Sequence, residues 1–169
     1  KRAQDVISIF YNIQKEIPAK LMLVGEGPDR ENIEMQCKEL GILDKVIFFG
    51  RSNEIDKILC FSDLFLLPSE TESFGLAALE AMASGVPVIS SNTGGIPEVN
   101  MHGVSGFLSN VGDINEMTKN ALYILSDNSR LKTFKDNARK QSLNFDLHKI
   151  VPQYEAIYED TLAKCYFNL

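Results

Sequence analysis

The 169-residue chain has no tryptophan, and its only histidines are His102 and His148. Neither has a carboxylate or cysteine at metal-ligand spacing, so both read as structural or surface residues. No Asp-x-Asp pair occurs, and the usual two-carboxylate clamp for a metal-bound nucleotide is therefore missing. A G-x-S-x-G elbow and a Walker A lysine motif are also absent. Taken together, these absences lead us to expect no metal and no other cofactor. The three cysteines, Cys37, Cys60 and Cys165, are odd in number and lack C-x-x-C spacing, so neither a disulfide framework nor a zinc site is indicated. Free thiols in a reducing, cytoplasmic compartment are expected. Basic residues are the minority, 17 Lys and Arg against 23 Asp and Glu, and the net charge of −6 argues against a nucleic-acid partner. A local basic pocket for a phosphate remains compatible with that balance. No apolar run approaches the roughly 18 residues of a transmembrane segment, and no signal-peptide core is present.

What is present is an alternation of short apolar runs with amphipathic stretches. Ala3, Val6, Ile7, Phe10, Ile13 and Ile17 recur at helical spacing, and Pro18 closes that helix. Leu21 to Val24 reads as a buried parallel strand. It ends in Gly25-Glu26-Gly27-Pro28-Asp29, a tight turn in which Pro28 opens a helix running to Leu40. Further strands are expected at Lys45 to Phe49, Asp63 to Leu67, Val86 to Ser90 and Gly106 to Leu108. A short helix is expected around Glu54 to Phe61. From about residue 113 the pattern is helical: Ile114 to Leu125, Ser129 to Ser142 and Asp146 to Lys164. Strands alternating with helices predict an α/β fold, a Rossmann-like parallel sheet with helices on both faces, in a single domain over 1–169. No strand precedes the first helix and Lys1 is not preceded by Met, so a fragment truncated at its N-terminus is expected.

In such folds ligands bind beyond the carboxyl ends of the strands. The unusual residues follow strands: Gly25-Glu26-Gly27, Gly50-Arg51, Ser69 to Glu72, and Gly94-Gly95. They are expected to meet along one edge. The stretch around which the rest is organised is Glu72 to Glu80, two carboxylates bracketing seven small or apolar residues. From Ser73 to Ser90 the only charged side chain is Glu80, and an ionised carboxylate beside a core is costly without hydrogen bonds. Ser73 is read as the N-cap of a helix over about Phe74 to Ser84, which Gly85 ends. That leaves free N–H groups near Gly75 and Leu76, a ready site for a phosphate or a sugar hydroxyl, with Glu72 overlooking it. The bland alternative is a chance pair of glutamates on a solvated face. Arg51 offers a fork to a phosphate or a stacking surface for a base, or is simply solvated. Gly25 and Gly27 serve either a ligand or a turn. A dinucleotide fingerprint is incomplete here, because Arg30 stands where its third glycine belongs.

Glu72-x7-Glu80 with Ser73-Phe74-Gly75-Leu76 inside it, Glu80-Ala81-Met82-Ala83-Ser84-Gly85-Val86-Pro87-Val88, Gly94-Gly95-Ile96-Pro97-Glu98 and Gly103-x-x-Gly106 resemble one family. It is the retaining GT-B glycosyltransferases of family four, in their C-terminal, donor-binding half. Leu21 to Pro28 and Ile150 to Tyr158 are most similar to the branch that joins N-acetylglucosamine to L-malate in bacillithiol synthesis. The resemblance implies a nucleotide-sugar donor, UDP-N-acetylglucosamine in that branch, and an acceptor held by an N-terminal domain of the same polypeptide. It implies a catalytic, sugar-orienting role for Glu72 and a ribose contact for Glu80. Backbone amides at Ser73, Phe74, Gly75 and Leu76 would meet the sugar and diphosphate. Lys1 falls on a diphosphate-neutralising lysine, and Arg51 falls near the nucleotide. The family needs no metal by fold. Two other classes stay open on residues alone: a nicotinamide dehydrogenase domain and a non-catalytic sugar-nucleotide binding module.

Overall fold

A computed structural model describes residues 1–166, with side chains to residue 164. The first helix, α1, spans Ala3–Glu16 and ends where Ile17 turns extended ahead of Pro18. Strand β1 (Leu21–Val24) runs parallel to β2 (Val46–Gly50), with Leu21 opposite Val46. Between them lie α2 (Arg30–Glu39) and a 3-10 turn at Leu43–Lys45. After α3 (Ile55–Cys60), strands β3 (Phe65–Leu67), β4 (Val88–Ser91) and β5 (Gly106–Ser109) form a second parallel ladder in that order. Helix α4 (Leu76–Ala83) connects β3 to β4, and α5 (Ile96–Val99) lies between β4 and β5. The remainder is helical: α6 (Ile114–Leu125), α7 (Asn128–Ser142), a 3-10 turn at Leu143–Phe145 and α8 (Leu147–Tyr166).

All strand pairings are parallel and helices cover both faces, as the apolar runs required. Successive residues of β4 make the two faces explicit, because side chains alternate along a strand. Val88 packs with Ala78, Ala81 and Met82 of α4 and Ala138 of α7. Ile89 packs with Ile9 and Ile13 of α1 and with Met117, Ala121 and Ile124 of α6. A third cluster sets Ile7 and Phe10 of α1 against Ile33, Cys37, Ile42 and Val46. The strands do not form one continuous sheet, however. β1–β2 and β3–β4–β5 are separate ladders, and among the described residues no strand pairs with the free edge of β1. Leu21, Met22 and Leu23 are consequently only half-buried, where the continuous apolar run predicted full burial.

Other boundaries shift for local reasons. Pro28 precedes α2, whose first residue is Arg30. The short α5 was not expected at all; Pro97 sits in its first turn, where a missing N–H costs nothing. Cys37 is buried and Cys60 exposed, both as free thiols, while the side chain of Cys165 lies outside the described residues. Burial pushes the Cys37 thiol up, which keeps it unreactive near neutrality.

Two polar devices fix the second ladder and its helices. Asn100 is fully buried, and its Nδ2 lies within hydrogen-bond distance of Val88 O (3.1 Å), Ser90 Oγ (2.9 Å) and Phe107 O (3.3 Å). Its Oδ1 accepts from Ser105 Oγ at 3.0 Å, so one side chain ties β4 to β5. Asp127 caps α7 by accepting the Arg130 N–H at 2.8 Å. That bond holds its carboxyl below the ordinary carboxylate range. A depressed folded value means that the cap's stabilisation is present above the unfolded carboxyl value of about 3.9 and is lost as pH falls through the folded one. Asp127→Ala is therefore expected to lower the melting temperature at pH 7, with the two melting curves converging as pH falls through the depressed value of the folded carboxyl. A gap that persists unchanged at low pH would show that the carboxylate charge is not what matters.

Candidate functional site

The strand-following residues gather in two groups at the carboxyl ends of the two ladders. In the first, the Gly25 N–H donates to Gly50 O at 2.8 Å, joining the turns after β1 and β2. Gly25 has φ 120, a conformation that glycine adopts at little cost, and Gly27 follows in the same turn. Arg51 Nε meets Glu26 Oε2 at 3.0 Å, with both side chains largely in solvent. An exposed pair of this kind contributes little to stability and opens readily toward another anion.

The second group is built on the loop after β3. Glu72 is largely withdrawn from water, its side chain retaining 13% of its exposure, and Lys1 Nζ forms an ion pair with its Oε2. The loop then turns at Gly75, which has φ 95 and is buried against Ile96. Gly75, not Ser73, is the N-cap of α4, and no side chain caps the helix. The expected start at Phe74 is thus two residues early, because the left-handed turn at Gly75 interrupts the helical path. Ser73 instead uses its carbonyl to accept the Gly95 N–H at 3.2 Å, and Phe74 packs edge-on against Phe145 with ring centroids 5.8 Å apart. The first bond along α4 runs from Leu79 N–H to Gly75 O, which leaves the amides of Leu76, Ala77 and Ala78 without intrahelical acceptors. The side chain of Leu76 is exposed beside them.

Glu80 behaves differently from Glu72. It lies on α4 itself and faces solvent, so the desolvation problem posed by its apolar neighbours is avoided by exposure. It lines an open groove of about 640 Å³ with Asp56 and Leu59 of α3, Ser84 of α4 and Arg139 of α7. That groove includes neither Glu72 nor Gly75.

Three features escaped the sequence reading. Gly94 and Gly95 are pressed onto the Glu72 loop: a Cβ on Gly94 would stand 1.6 Å from Glu72 O, and one on Gly95 would stand 2.6 Å from Ser73 O. The glycine pair was visible, but its close approach to a backbone twenty residues upstream was not. Thr93 Oγ1 donates to Glu70 O at 3.2 Å and pins the same loop from the side. Arg2 has φ 53 and ψ 51, the only positive φ at a non-glycine among the described residues. That conformation costs roughly 1 to 2 kcal/mol for an L-residue. Its Nε donates to Asp5 Oδ2 at 2.6 Å, and this bond raises the guanidinium's pKa further above its ordinary value.

Among the described residues no cluster of three potential metal ligands occurs, and no helix is long and apolar enough to cross a membrane. Known proteins share this architecture. The family described as glycosyl transferases group 1 matches residues 1–141. The N-acetyl-alpha-D-glucosaminyl L-malate synthase of Bacillus anthracis is 46% identical over 163 residues, covering 96% of this chain and 43% of that protein. The 2-deoxystreptamine N-acetyl-D-glucosaminyltransferase of Niallia circulans is 31% identical over 164 residues, covering 92% of this chain and 42% of that protein. The crystal structure of Anabaena HepE in complex with UDP superposes with a TM-score of 0.86 at 27% identity, covering 95% of this chain and 45% of that one. The chain therefore spans less than half the length of these relatives.

The packing at Gly94 makes a measurable demand. Gly94→Ala adds steric overlap with the Glu72 carbonyl to the strain of φ +54, whereas Gly103→Ala, at φ +75 with nothing within 4 Å, adds strain alone. Chemical denaturation is expected to show a loss of about 1 to 2 kcal/mol for Gly103→Ala and about 3 kcal/mol or more for Gly94→Ala. Equal losses would mean that the loop yields and that the contact does not hold it.

Proposed function

The chain belongs to the group 1 glycosyl transferases, and from that membership we propose that residues 1–169 form the donor-binding domain of a retaining hexosyltransferase that uses UDP-N-acetylglucosamine. The observation that carries this reading is the Lys1–Glu72 ion pair in the loop leading to the open amides of α4. A cation from the start of the chain, folded onto a carboxylate that lies four residues ahead of a helix start, suits a ligand that joins a diphosphate to a polyhydroxylated ring. In this reading Lys1 neutralises the diphosphate, with the amides of Ser73, Phe74, Gly75 and Leu76 along the diphosphate and sugar. Glu72 orients the sugar through its hydroxyls. Glu80, free in solvent on α4, holds the ribose, and Arg51 leaves Glu26 to sit near the nucleotide beside the Gly25–Gly27 turn.

The reaction is a front-face transfer without a required metal. The bond from the anomeric carbon to the diphosphate oxygen breaks, the acceptor oxygen bonds on the same face, and the departing diphosphate takes the acceptor's proton. Positioning and charge stabilisation of the leaving group then supply the rate. The acceptor hydroxyl belongs to a small organic acid of the L-malate type, in line with the Bacillus anthracis relative's name. We place that acceptor in an N-terminal domain of the same polypeptide. Supporting this, the chain spans under half of its relatives' length, no strand among the described residues pairs with the free edge of β1, and α8 exposes Leu147, Val151, Tyr154, Tyr158 and Leu162. The free thiols of Cys37 and Cys60 suit a cytoplasmic setting. Residues 1–169 alone are expected to bind donor without turning it over.

Calorimetric titration of the full-length protein against UDP-N-acetylglucosamine, UDP-glucose, GDP-mannose, ADP-glucose and NADH tests the donor. Binding confined to the UDP sugars is expected. Glu80→Ala should weaken UDP by about tenfold, while Glu72→Gln should lower kcat and leave UDP affinity near that of the native protein. Preference for a GDP or ADP sugar would remove the donor assignment. Equal losses of UDP affinity in both variants would overturn the separate roles, and NADH binding alone would remove the reading altogether.

A further inference from the structure

We propose that Arg2 is a positioning residue for donor binding, acting through its left-handed backbone to hold Lys1 against the diphosphate site. The inference rests on the reading of Lys1 given above.

Arg2 is the N-cap of α1, a position normally filled by Ser, Thr, Asp or Asn in extended conformation. Here it is left-handed and contributes no side-chain cap, although its carbonyl still accepts the Asp5 N–H at 3.0 Å. Side-chain contacts accompany that conformation: within α1 the guanidinium bonds Asp5 Oδ2 through Nε at 2.6 Å, and outside it Nη1 lies 4.0 Å from Glu70 Oε2. On a third side, a Cβ built on Gly112 would stand 3.3 Å from Nη2, so the turn after β5 closes over the group. Arg2 is thereby held by its own helix, by the loop two residues ahead of Glu72 and by the turn that leads into α6. The left-handed turn folds the chain back, and the residue directly before it is Lys1, paired with Glu72. An extended or right-handed Arg2 would send Lys1 along a different path.

Two double variants of the full-length protein separate the conformational role from the charge. Arg2→Ala/Asp5→Asn and Arg2→Gly/Asp5→Asn both remove the guanidinium without leaving the buried Asp5 carboxylate unpaired. They differ in that glycine enters the left-handed region freely and alanine does not. Titration with UDP is expected to show a loss of about tenfold for the alanine variant and under about threefold for the glycine variant, with uridine affinity unchanged in both. Lys1→Ala should itself lose about tenfold, and adding Arg2→Ala/Asp5→Asn to it should lose nothing more. Equal UDP affinities in the two double variants would overturn the inference, as would parallel losses for UDP and uridine. Additive losses would assign Arg2 a direct phosphate contact and reject the positioning role. If Lys1→Ala leaves UDP affinity intact, the reading of Lys1 fails and the inference with it.

Discussion

The two ladders are joined by helix packing instead of by a shared strand edge, and α1 is the element that makes the joint. Its Ile7 and Phe10 belong to the cluster over β1 and β2, while Ile9 and Ile13 belong to the cluster under β4. Each such side chain, fully buried, is worth roughly 1.5 to 3 kcal/mol. Hydrophobic contact is non-directional, so the distance and angle between the ladders depend on how closely these four residues are packed. The same helix begins at Arg2, next to the lysine that reaches Glu72. Packing deep in the core and the placement of Lys1 against the Glu72 loop are therefore set by a single helix.

Two glutamates of one motif meet very different conditions. Glu72 is mostly withdrawn from water and is matched with a lysine whose own side chain stays 64% exposed. Glu80 needs no such match because α4 turns it toward solvent. A carboxylate already desolvated and held by its neighbours suits a role that depends on geometry. One in solvent loses hydration only when a ligand arrives. This contrast, and not their spacing alone, is what gives the pair two separate tasks in the proposed reaction.

The strands were legible because parallel strands read as continuous apolar runs, and Leu21 to Val24 coincides with its run residue for residue. Helices α1 and α6 were legible from their 3.6-residue stripe. The start of α4 was misplaced because Ser73 has the chemistry of a cap, whereas the turn depends on Gly75 and on Ile96 packed behind it. Helix α5 is four residues long, too short for any periodicity to register. Lys1, Glu72 and the α4 amides were visible as types in order, but Arg2 was not. Its backbone is set by Asp5, Glu70 and Gly112, two of which lie far away in the chain.

Gly94 carries a consequence for how this chain is able to change. Every single substitution there installs a Cβ, and the space that atom would enter is already occupied by the Glu72 carbonyl oxygen. The position has no neutral neighbour in sequence space, so the path of the Glu72 loop is insulated from gradual drift. Substitutions that leave the loop's path intact are then confined to exposed side chains beside it, such as Leu76 in the first turn of α4.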